Sequence, residues 1–198
     1  MKRILIVAFV VASTAAFALD VDFGPATIPD NNVAGVTLSQ VVGVGATSVA
    51  SVTFFGLTHT WVGDVTLTLI SPDGISHNLV ARIGAPTGVE VGDSSNYNGD
   101  YRFIDTGGSI WTEATLGDST YNLRSGDYAP TTIGGAAAAL SGIPAQAAGT
   151  WKIFANDQAA ADTGGWQNAR LTLNVVPEPV SMIALGAGLV AMARRRRK

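Results

Sequence analysis

The stretch VTLTLISPDGISHNLV, residues 65–80, constrains the fold more than any other part of the sequence. Val65, Leu67 and Leu69 alternate with threonines, and successive side chains of a β-strand point to opposite faces, so the three apolar residues share one face. The residues that follow, SPDG at 71–74, place Pro second and Gly fourth, as a type I turn prefers. The stretch therefore predicts a β-hairpin.

Other segments with a period of two extend this prediction along the chain. TWKIFA and ARLTLNV each place alternate apolar residues on one face, and GVTLSQVV, SVASVTFFGLTHTW and DYRFI are further predicted strands bounded by turn formers. The Gly- and Pro-flanked stretch TTIGGAAAALSGIPAQAAG is predicted to be a loop. The sequence predicts an all-β domain of six to nine strands, a single β-sandwich or jelly roll.

The N-terminus has the pattern of a secretory signal peptide. Lys2 and Arg3 precede an apolar run that ends in Ala-Phe-Ala at 16–18, so we predict cleavage after Ala18 and a mature chain that starts at Leu19. The alternative is a buried N-terminal helix. The predicted division is a signal peptide at 1–18, a β-sandwich domain at 19–176 and a C-terminal sorting segment at 177–198.

Composition restricts how the domain is stabilised and what it binds. The chain has no cysteine, so stability must come from packing and from any bound hard cation rather than from disulfides. Seven of the twelve Lys and Arg residues lie in the two terminal segments, which leaves the predicted domain strongly acidic. An acidic surface argues against nucleic acid as a partner.

Two stretches resemble the P domain of subtilisin-like proprotein convertases. LTHTWVGDVTLTLISPDGISHNLVARIGAP is similar to that family's His-Thr pair, Gly-Asp and strand-turn-strand pattern, and AGTWKIFANDQAAADTGGWQNARLTL to its closing pattern. The resemblance spans residues 49–173 and implies a P-domain-like β-sandwich. The predicted mature region has no room for a protease domain as well, so the resemblance implies a stabilising module rather than a catalyst.

Catalysis is not favoured by the motifs. His59 and His77 fall in predicted strands, and the chain contains neither a Gly-x-Ser-x-Gly elbow nor a His-Glu-x-x-His motif. We therefore predict no catalytic residues and no required cofactor.

Two polar stretches offer oxygen ligands of the kind that Ca²⁺ prefers. NDQAAADTG supplies Asp157 and Asp162, and GDSSNYNGD at 92–100 supplies further Asp and Asn side chains. Neither stretch matches an EF-hand loop, and Asp and Asn also favour turns by bonding to their own backbone. Asp157 and Asp162 are the predicted metal ligands, and turn formation alone is the competing interpretation.

Aromatic side chains are candidates for stacking on a sugar, because they offer large rigid contact areas. Trp111 and Tyr97 lie in predicted loops and are the predicted ligand-binding residues. Trp151 alternates with Ile153 and is predicted to lie in the core.

The C-terminus combines an apolar run with a basic end. Residues 180–193 carry no charge, yet they are fewer than the roughly 20 residues of a typical spanning helix, so we predict a short, weak transmembrane helix. The basic residues that follow would keep the C-terminus in the cytoplasm and the domain outside. An interfacial helix is the alternative.

This tail resembles a PEP-CTERM sorting signal. Pro177, Glu178 and Pro179 correspond to its motif, and the basic cluster comprises Arg194, Arg195, Arg196 and Arg197. The resemblance implies recognition by an exosortase-type enzyme of Gram-negative bacteria that make extracellular polysaccharide, and removal of the tail.

The sequence thus favours an exported, non-catalytic module of the cell envelope or extracellular polysaccharide matrix, with a structural or binding role. Its expected partners are signal peptidase, an exosortase-type enzyme, and polysaccharide or matrix proteins. The membrane is a partner only before processing. The alternative is an accessory subunit of a secreted protease, or a hydrolase.

Overall fold

The computed structural model describes residues 16–88, 90–114 and 118–176. Twelve strands lie within these ranges: β1 (Phe17–Asp22), β2 (Ala26–Ile28), β3 (Asn32–Val42), β4 (Ala46–His59), β5 (Val65–Ile70), β6 (Ser76–Ala81), β7 (Asn96–Gly108), β8 (Asn122–Leu123), β9 (Gly126–Tyr128), β10 (Gly149–Asp157), β11 (Gly164–Trp166) and β12 (Asn168–Val175). One short helix, α1 (Ile110–Glu113), and 3₁₀ turns at Val62–Asp64, Ile133–Gly135 and Leu140–Gly142 complete the described elements.

The strands form a β-sandwich of two sheets, as the sequence predicts. The larger sheet has β4 at its centre, with β12 and β11 along one side of it and β7 along the other. β1 and β2 form one edge of this sheet, and β8 and β9 pair with β7 at the opposite edge. The smaller sheet has the order β3-β10-β5-β6 and is antiparallel throughout.

The number of strands exceeds the six to nine predicted. The difference lies in short strands of two or three residues, β2, β8, β9 and β11. β11 and β12 pair with successive parts of β4 and are separated by Gln167 alone, so one interrupted strand counts as two. β8 and β9 are held by parallel pairing with β7, and no local sequence pattern predicts this pairing.

The predicted hairpin is confirmed. β5 and β6 pair antiparallel, and the N–H of Gly74 donates to the carbonyl of Ser71 at 2.9 Å. Gly74 has a φ of +84°, a conformation that glycine adopts without the steric cost that other residues meet. The inward-facing residues Val65, Leu67 and Leu69 are completely buried.

The core fills the space between the two sheets. Phe54 of β4 is completely buried and makes edge-to-face contacts with Phe103, with ring centroids 6.2 Å apart, and with Trp166, at 5.2 Å. From the opposite sheet, Trp151 and Ile153 of β10 are buried as predicted. Burial of aromatic side chains of this size stabilises the sandwich through the apolar area removed from water.

A bulge in β4 decides which side chains enter this core. The pairing of β4 with β7 shifts register between Phe54 and Leu57, so both residues point inward although they are three apart. Gly56 occupies the bulge with a φ of +58°, and its N–H donates to Oδ1 of Asp100 at 2.7 Å. Bulges of this kind bend a strand and re-aim its side chains.

Two further predicted features lie at the ends. β1 begins at Phe17, so the first strand starts two residues before the predicted mature N-terminus at Leu19. The predicted sorting residues 177–198, including the apolar run at 180–193, lie outside the described residues. In the part of the chain that is described, none of the helices has the length and apolar character needed to cross a bilayer.

Candidate functional site

Carboxylates collect at one end of the sandwich, where β4 and β10 end and β5 begins. Asp157 is the last residue of β10 and lies opposite Val65 in the ladder between β10 and β5. Asp64 directly precedes that valine, and the N–H of Gln158 donates to the carbonyl of Asp64 at 3.1 Å. Antiparallel pairing therefore places Asp64 beside the loop 158–163, which joins β10 to β11. The acidic cluster described below comprises Asp30, Asp64, Asp157 and Asp162.

A buried histidine–aspartate pair joins the two sheets at this end. His59 Nε2 lies 3.3 Å from Asp157 Oδ2, and both side chains are completely buried. His59 Nδ1 lies 3.0 Å from the carbonyl oxygen of Trp61 and 3.2 Å from its backbone nitrogen. Because an ionised carboxylate can only accept, the bond to Asp157 has Nε2–H as its donor. The second carboxylate oxygen of Asp157 accepts the N–H of Ala159 at 3.0 Å. His59 is therefore a structural link between β4 and β10.

Asp162 and Asp30, the two more exposed members of the cluster, hold the loop 158–163 in place through hydrogen bonds. Asp162 Oδ1 accepts a hydrogen bond from the Thr60 hydroxyl at 2.6 Å. Asp30 accepts the N–H of Ala161 at 3.1 Å through Oδ1. These bonds fold the loop back over the end of β4 and over the turn between β2 and β3.

Asp64 is the anomalous member of the cluster. It is 2% exposed, and among the described residues none hydrogen-bonds to its Oδ1. Burial and the neighbouring carboxylates of Asp157 and Asp162 raise the pKa of Asp64 to about 6. A buried carboxylate oxygen without a partner normally costs free energy, because desolvation is not repaid by a hydrogen bond.

Arg82 lies near the cluster, but its guanidinium is already occupied. Its Nε donates to the carbonyl of Gly63 at 3.0 Å, its Nη2 donates to the carbonyl of Glu90 at 2.7 Å, and its Nη1 donates to the carbonyl of Gly88. Arg82 lowers the pKa of Asp64, but less than burial, Asp157 and Asp162 raise it. The arginine thus tethers the segment after β6 to the turn before β5.

The two predicted metal ligands, Asp157 and Asp162, both belong to the acidic cluster. Across residues 16–88, 90–114 and 118–176, no three His, Asp or Glu side chains are already arranged around one metal position. In the second predicted group of oxygen ligands, Asp93 is buried and accepts the N–H of Ser95 through Oδ1, while its Oδ2 has no partner among the described residues. Asp100 of the same group accepts the N–H of Gly56. Asp30 was missed by sequence reasoning and Asp64 was not among the predicted ligands, since only the pairing of distant strands brings them to the loop.

The predicted ligand-binding aromatics occupy other positions than expected. Tyr97 was predicted to lie in a loop, and this placement is wrong, because Tyr97 belongs to β7 and pairs with His59 of β4. The ring of Tyr97 is 1% exposed and packs against Tyr101 at 5.1 Å, so it is not available to stack on a ligand.

Trp111 was also predicted to lie in a loop and instead belongs to α1, where Ser109 caps the first turn by accepting the N–H of Thr112 at 3.2 Å. It is half-buried, and Gly135 lies close over its indole, because a Cβ built on that glycine would be 2.8 Å from Trp111 Cδ2. Its ligand-binding role stays a prediction.

The second histidine belongs to the hairpin turn. His77 Nε2 lies 3.1 Å from the Ser71 Oγ, while the same hydroxyl donates to Asp73 Oδ1. Burial lowers the pKa of His77. Ser71 is 2% exposed and its proton is directed to Asp73, so this network stabilises the turn and does not present a nucleophile to solvent.

Comparison with known families identifies the sandwich. The family model of the proprotein convertase P-domain matches residues 50–173, which is more than half of the chain. The chain belongs to the proprotein convertase P-domain family. The His59–Asp157 pair and three members of the acidic cluster lie inside the matched region of this P domain, and Asp30 lies before it.

A second match concerns the C-terminus. Residues 175–198 match the PEP-CTERM protein-sorting motif, which implies export, a transient membrane anchor and processing by an exosortase-type enzyme. The predicted motif residues Pro177, Glu178 and Pro179 fall within this match. The chain therefore combines a P domain with a sorting signal, as the sequence predicts.

Solved structures similar to the P domain include two of a serine protease from Aeromonas sobria. The complex of this protease with its chaperone ORF2 is 15% identical, with a TM-score of 0.44, and the match covers 82% of this chain and 27% of the other. The structure of the protease itself is 13% identical, with a TM-score of 0.44 and coverage of 81% and 27%. The chain thus spans about a quarter of the length of these proteins. No curated protein matches the chain.

Proposed function

We propose that this P domain is an exported, non-catalytic module of the cell envelope or of the extracellular polysaccharide matrix, with a structural or binding role. The observation that carries the proposal is the presence of both family matches in one chain, with the P domain at 50–173 followed directly by the sorting motif at 175–198. In this proposal the signal peptide directs export. The tail then holds the domain outside the inner membrane, with Lys198 in the cytoplasm, until an exosortase-type enzyme removes it.

The arrangement of the described histidines supports a non-catalytic role. His59 is completely buried, and its donor nitrogen is used by Asp157. His77 lies against a serine whose hydroxyl donates to a turn carboxylate rather than to the imidazole. A hydrolase requires a nucleophile and a base that are accessible to substrate, and neither histidine provides that geometry.

The alternative is an accessory module of a secreted protease or a hydrolase, and it is favoured by the family itself, which is named for proprotein convertases. In that case the domain would co-purify with a protease, and removing the domain would lower the stability of that protease. In the proposed role, the domain instead remains with matrix material that contains polysaccharide.

The experiment is to recover the protein from its native host, measure its intact mass and determine where it resides. We expect a chain that begins at Leu19, lacks Arg194–Arg197 and is found outside the inner membrane. Replacing Pro177, Glu178 and Pro179 by alanine should leave a full-length C-terminus in the membrane fraction. Replacing Asn174, which precedes the motif, by alanine is the matched control and should leave processing unchanged.

Two results would overturn the proposal. A full-length C-terminus on the mature wild-type protein would remove the sorting step. Hydrolysis of generic peptide or ester substrates by the purified protein, abolished by His77→Ala, would replace the non-catalytic role with an enzymatic one.

A further inference from the structure

The buried, unpartnered oxygen of Asp64 needs an explanation that the proposed function does not supply. Buried polar atoms in native proteins are hydrogen-bonded in the great majority of cases, so each exception points to strain, to a proton or to an unseen ligand. Asp64 is 2% exposed, and no described residue hydrogen-bonds to Oδ1. Its backbone, by contrast, is fully engaged: its N–H donates to Trp61 and its carbonyl accepts from Gln158.

None of the described side chains supplies the missing partner of this oxygen. Arg82 is the cation that acts on it, and the guanidinium of Arg82 is directed to the carbonyls of Gly63, Gly88 and Glu90.

The neighbours of Asp64 make the position more anionic still. The carboxylates of Asp157, Asp162 and Asp30 each disfavour a negative charge on Asp64. The donor atoms that they present are all carboxylate oxygens, the ligand type that hard cations such as Ca²⁺ and Mg²⁺ prefer. A divalent cation would satisfy the unpartnered Oδ1 and relieve the repulsion in one step.

We propose that Asp64, Asp157 and Asp162, assisted by Asp30, form a binding site for Ca²⁺ at the end of the sandwich where the loop 158–163 closes. Since no three of the described side chains are already arranged around one metal position, binding requires an adjustment. Asp162 is half-buried on the loop, and its bond to Thr60 is a surface bond that it can exchange for the cation. Asp64 provides the fixed inner ligand. Ca²⁺ tolerates irregular geometry, and water completes its shell.

The affinity should match that of extracellular calcium modules. Such sites bind with dissociation constants of roughly 10⁻⁴ to 10⁻³ M. At 10 mM Ca²⁺ a site with the tighter of these values would be saturated, and the melting temperature of a domain of this size would rise by about 5–10 °C. Mg²⁺ demands a smaller, octahedral shell and should give a much smaller rise.

The test measures the melting temperature of the full chain at pH 7.5, first in chelator and then with CaCl₂, MgCl₂ or NaCl at matched ionic strength. Direct binding is followed by luminescence of Tb³⁺, a calcium substitute, excited through tryptophan; Trp61 lies three residues before Asp64. We expect a saturable rise with CaCl₂ and a Tb³⁺ signal that excess Ca²⁺ displaces.

Three variants test whether the acidic cluster causes the calcium-dependent rise in melting temperature. Asp64→Asn should lose the calcium-dependent rise while melting no lower than the wild type in chelator, because it removes a buried, repelled charge. Asp162→Asn should weaken Tb³⁺ binding about tenfold or more. Asp20→Asn, an exposed carboxylate on β1 that bonds to Thr172 and Arg170, is the matched control and should keep the full rise.

Three results would overturn the proposal: an equal rise with NaCl or MgCl₂, which would indicate charge screening only; an undiminished calcium response in Asp64→Asn; or no displaceable Tb³⁺ signal. This proposal goes beyond the proposed function and fails separately from it. Processing of the tail does not depend on Asp64, so loss of calcium binding leaves the sorting experiment unaffected.

Discussion

Replacing His59 by alanine should destabilise the domain more than any other single change of a polar side chain described above. The substitution removes the imidazole N–H that faces Asp157 Oδ2 at 3.3 Å, in a position where both side chains are completely buried. The carboxylate then stays in the interior with one oxygen deprived of its donor. The same change removes the ring that links the end of β4 to the end of β10.

The size of the loss in unfolding free energy depends on which hydrogen bonds Asp157 keeps. Leaving a buried acceptor without its donor costs about 1–3 kcal/mol, and more when the acceptor is charged. Asp157 Oδ1 keeps the N–H of Ala159 at 3.0 Å, so we expect a loss of about 3 kcal/mol. For a domain of this size, the melting temperature would fall by about 6–12 °C.

The assay is urea unfolding followed by tryptophan fluorescence in chelator, so that a bound cation contributes nothing. The midpoint should fall while the m-value stays unchanged. His77→Ala is the matched control: His77 is half-buried, and Ser71 keeps its bond to Asp73 without it, so about 1 kcal/mol or less should be lost.

A double-mutant cycle with Asp157→Asn isolates the pair. We expect a coupling free energy of about 2 kcal/mol, because each single change already removes the interaction that the other would remove. Additive single effects, or a loss below about 1 kcal/mol in His59→Ala, would show that the pair is not what joins the two sheets at this end.

Three further predictions concern other parts of the fold. Hydrogen bonds from Arg124 and Tyr121 lower the pKa of Glu113 to about 2, below its ordinary value of 4.5, so its contribution to stability is present above pH 4.5 and is lost as the pH falls towards 2. Solvent around the exposed Arg124 limits the effect to about 1–2 kcal/mol, and urea unfolding at pH 7 and pH 3 should show a smaller pH dependence in Glu113→Gln. Phe54→Ala should cost about 3–5 kcal/mol in urea unfolding, since the ring is completely buried, whereas Phe55→Ala on the outer face should cost far less; equal losses would contradict the assigned bulge. Gly164→Ala should cost about 1–3 kcal/mol by thermal unfolding, because its Cβ would lie 2.0 Å from the Thr58 carbonyl oxygen, while Gly43→Ala, with no atom within 4 Å, should be nearly neutral.

The parts of the fold that sequence reasoning predicted correctly depend on local patterns. The β5–β6 hairpin combines alternation with a turn whose residues suit their backbone angles, and both signals lie within one short stretch. The buried faces of β10 and β12 follow from alternation alone. In each case neighbouring residues carry all the information that the prediction needs.

The failures arise where distant residues decide the outcome. Tyr97 is surrounded by Asn, Asp and Ser, which favour loops, but pairing with β4 draws it into a strand and buries its ring. The choice between Phe54 and Phe55 as the core residue depends on the bulge at Gly56, which strict alternation does not reveal. In both places the pairing of β4 with β7, rather than the local sequence, decides the outcome.

In the candidate site too, some residues follow from the local sequence and others only from the pairing of distant strands. Asp157 and Asp162 lie in one polar stretch and could be selected from the sequence. Asp64 directly precedes a strand, a position where Asp commonly forms a turn. Its proximity to Asp157 depends on how β5 pairs with β10. The lack of a partner for its Oδ1 results from packing in the interior and cannot be predicted from the sequence.

The position of β12 determines how the domain responds to force. Leu173, near its end, pairs with Leu19 of β1 on one side and with Val49 of β4 on the other, so a pull on the chain at Val176 acts along a strand held on both sides. Hydrogen bonds between antiparallel strands run across the strand direction, so tension along β12 shears many of them at once instead of opening them one by one. The end of β4 at His59 lies about 45 Å from Ala46 at the rise of an extended strand. A domain held by its C-terminal tail would thus present the acidic cluster at its far end, and it would be freed by cutting the tail more readily than by mechanical unfolding.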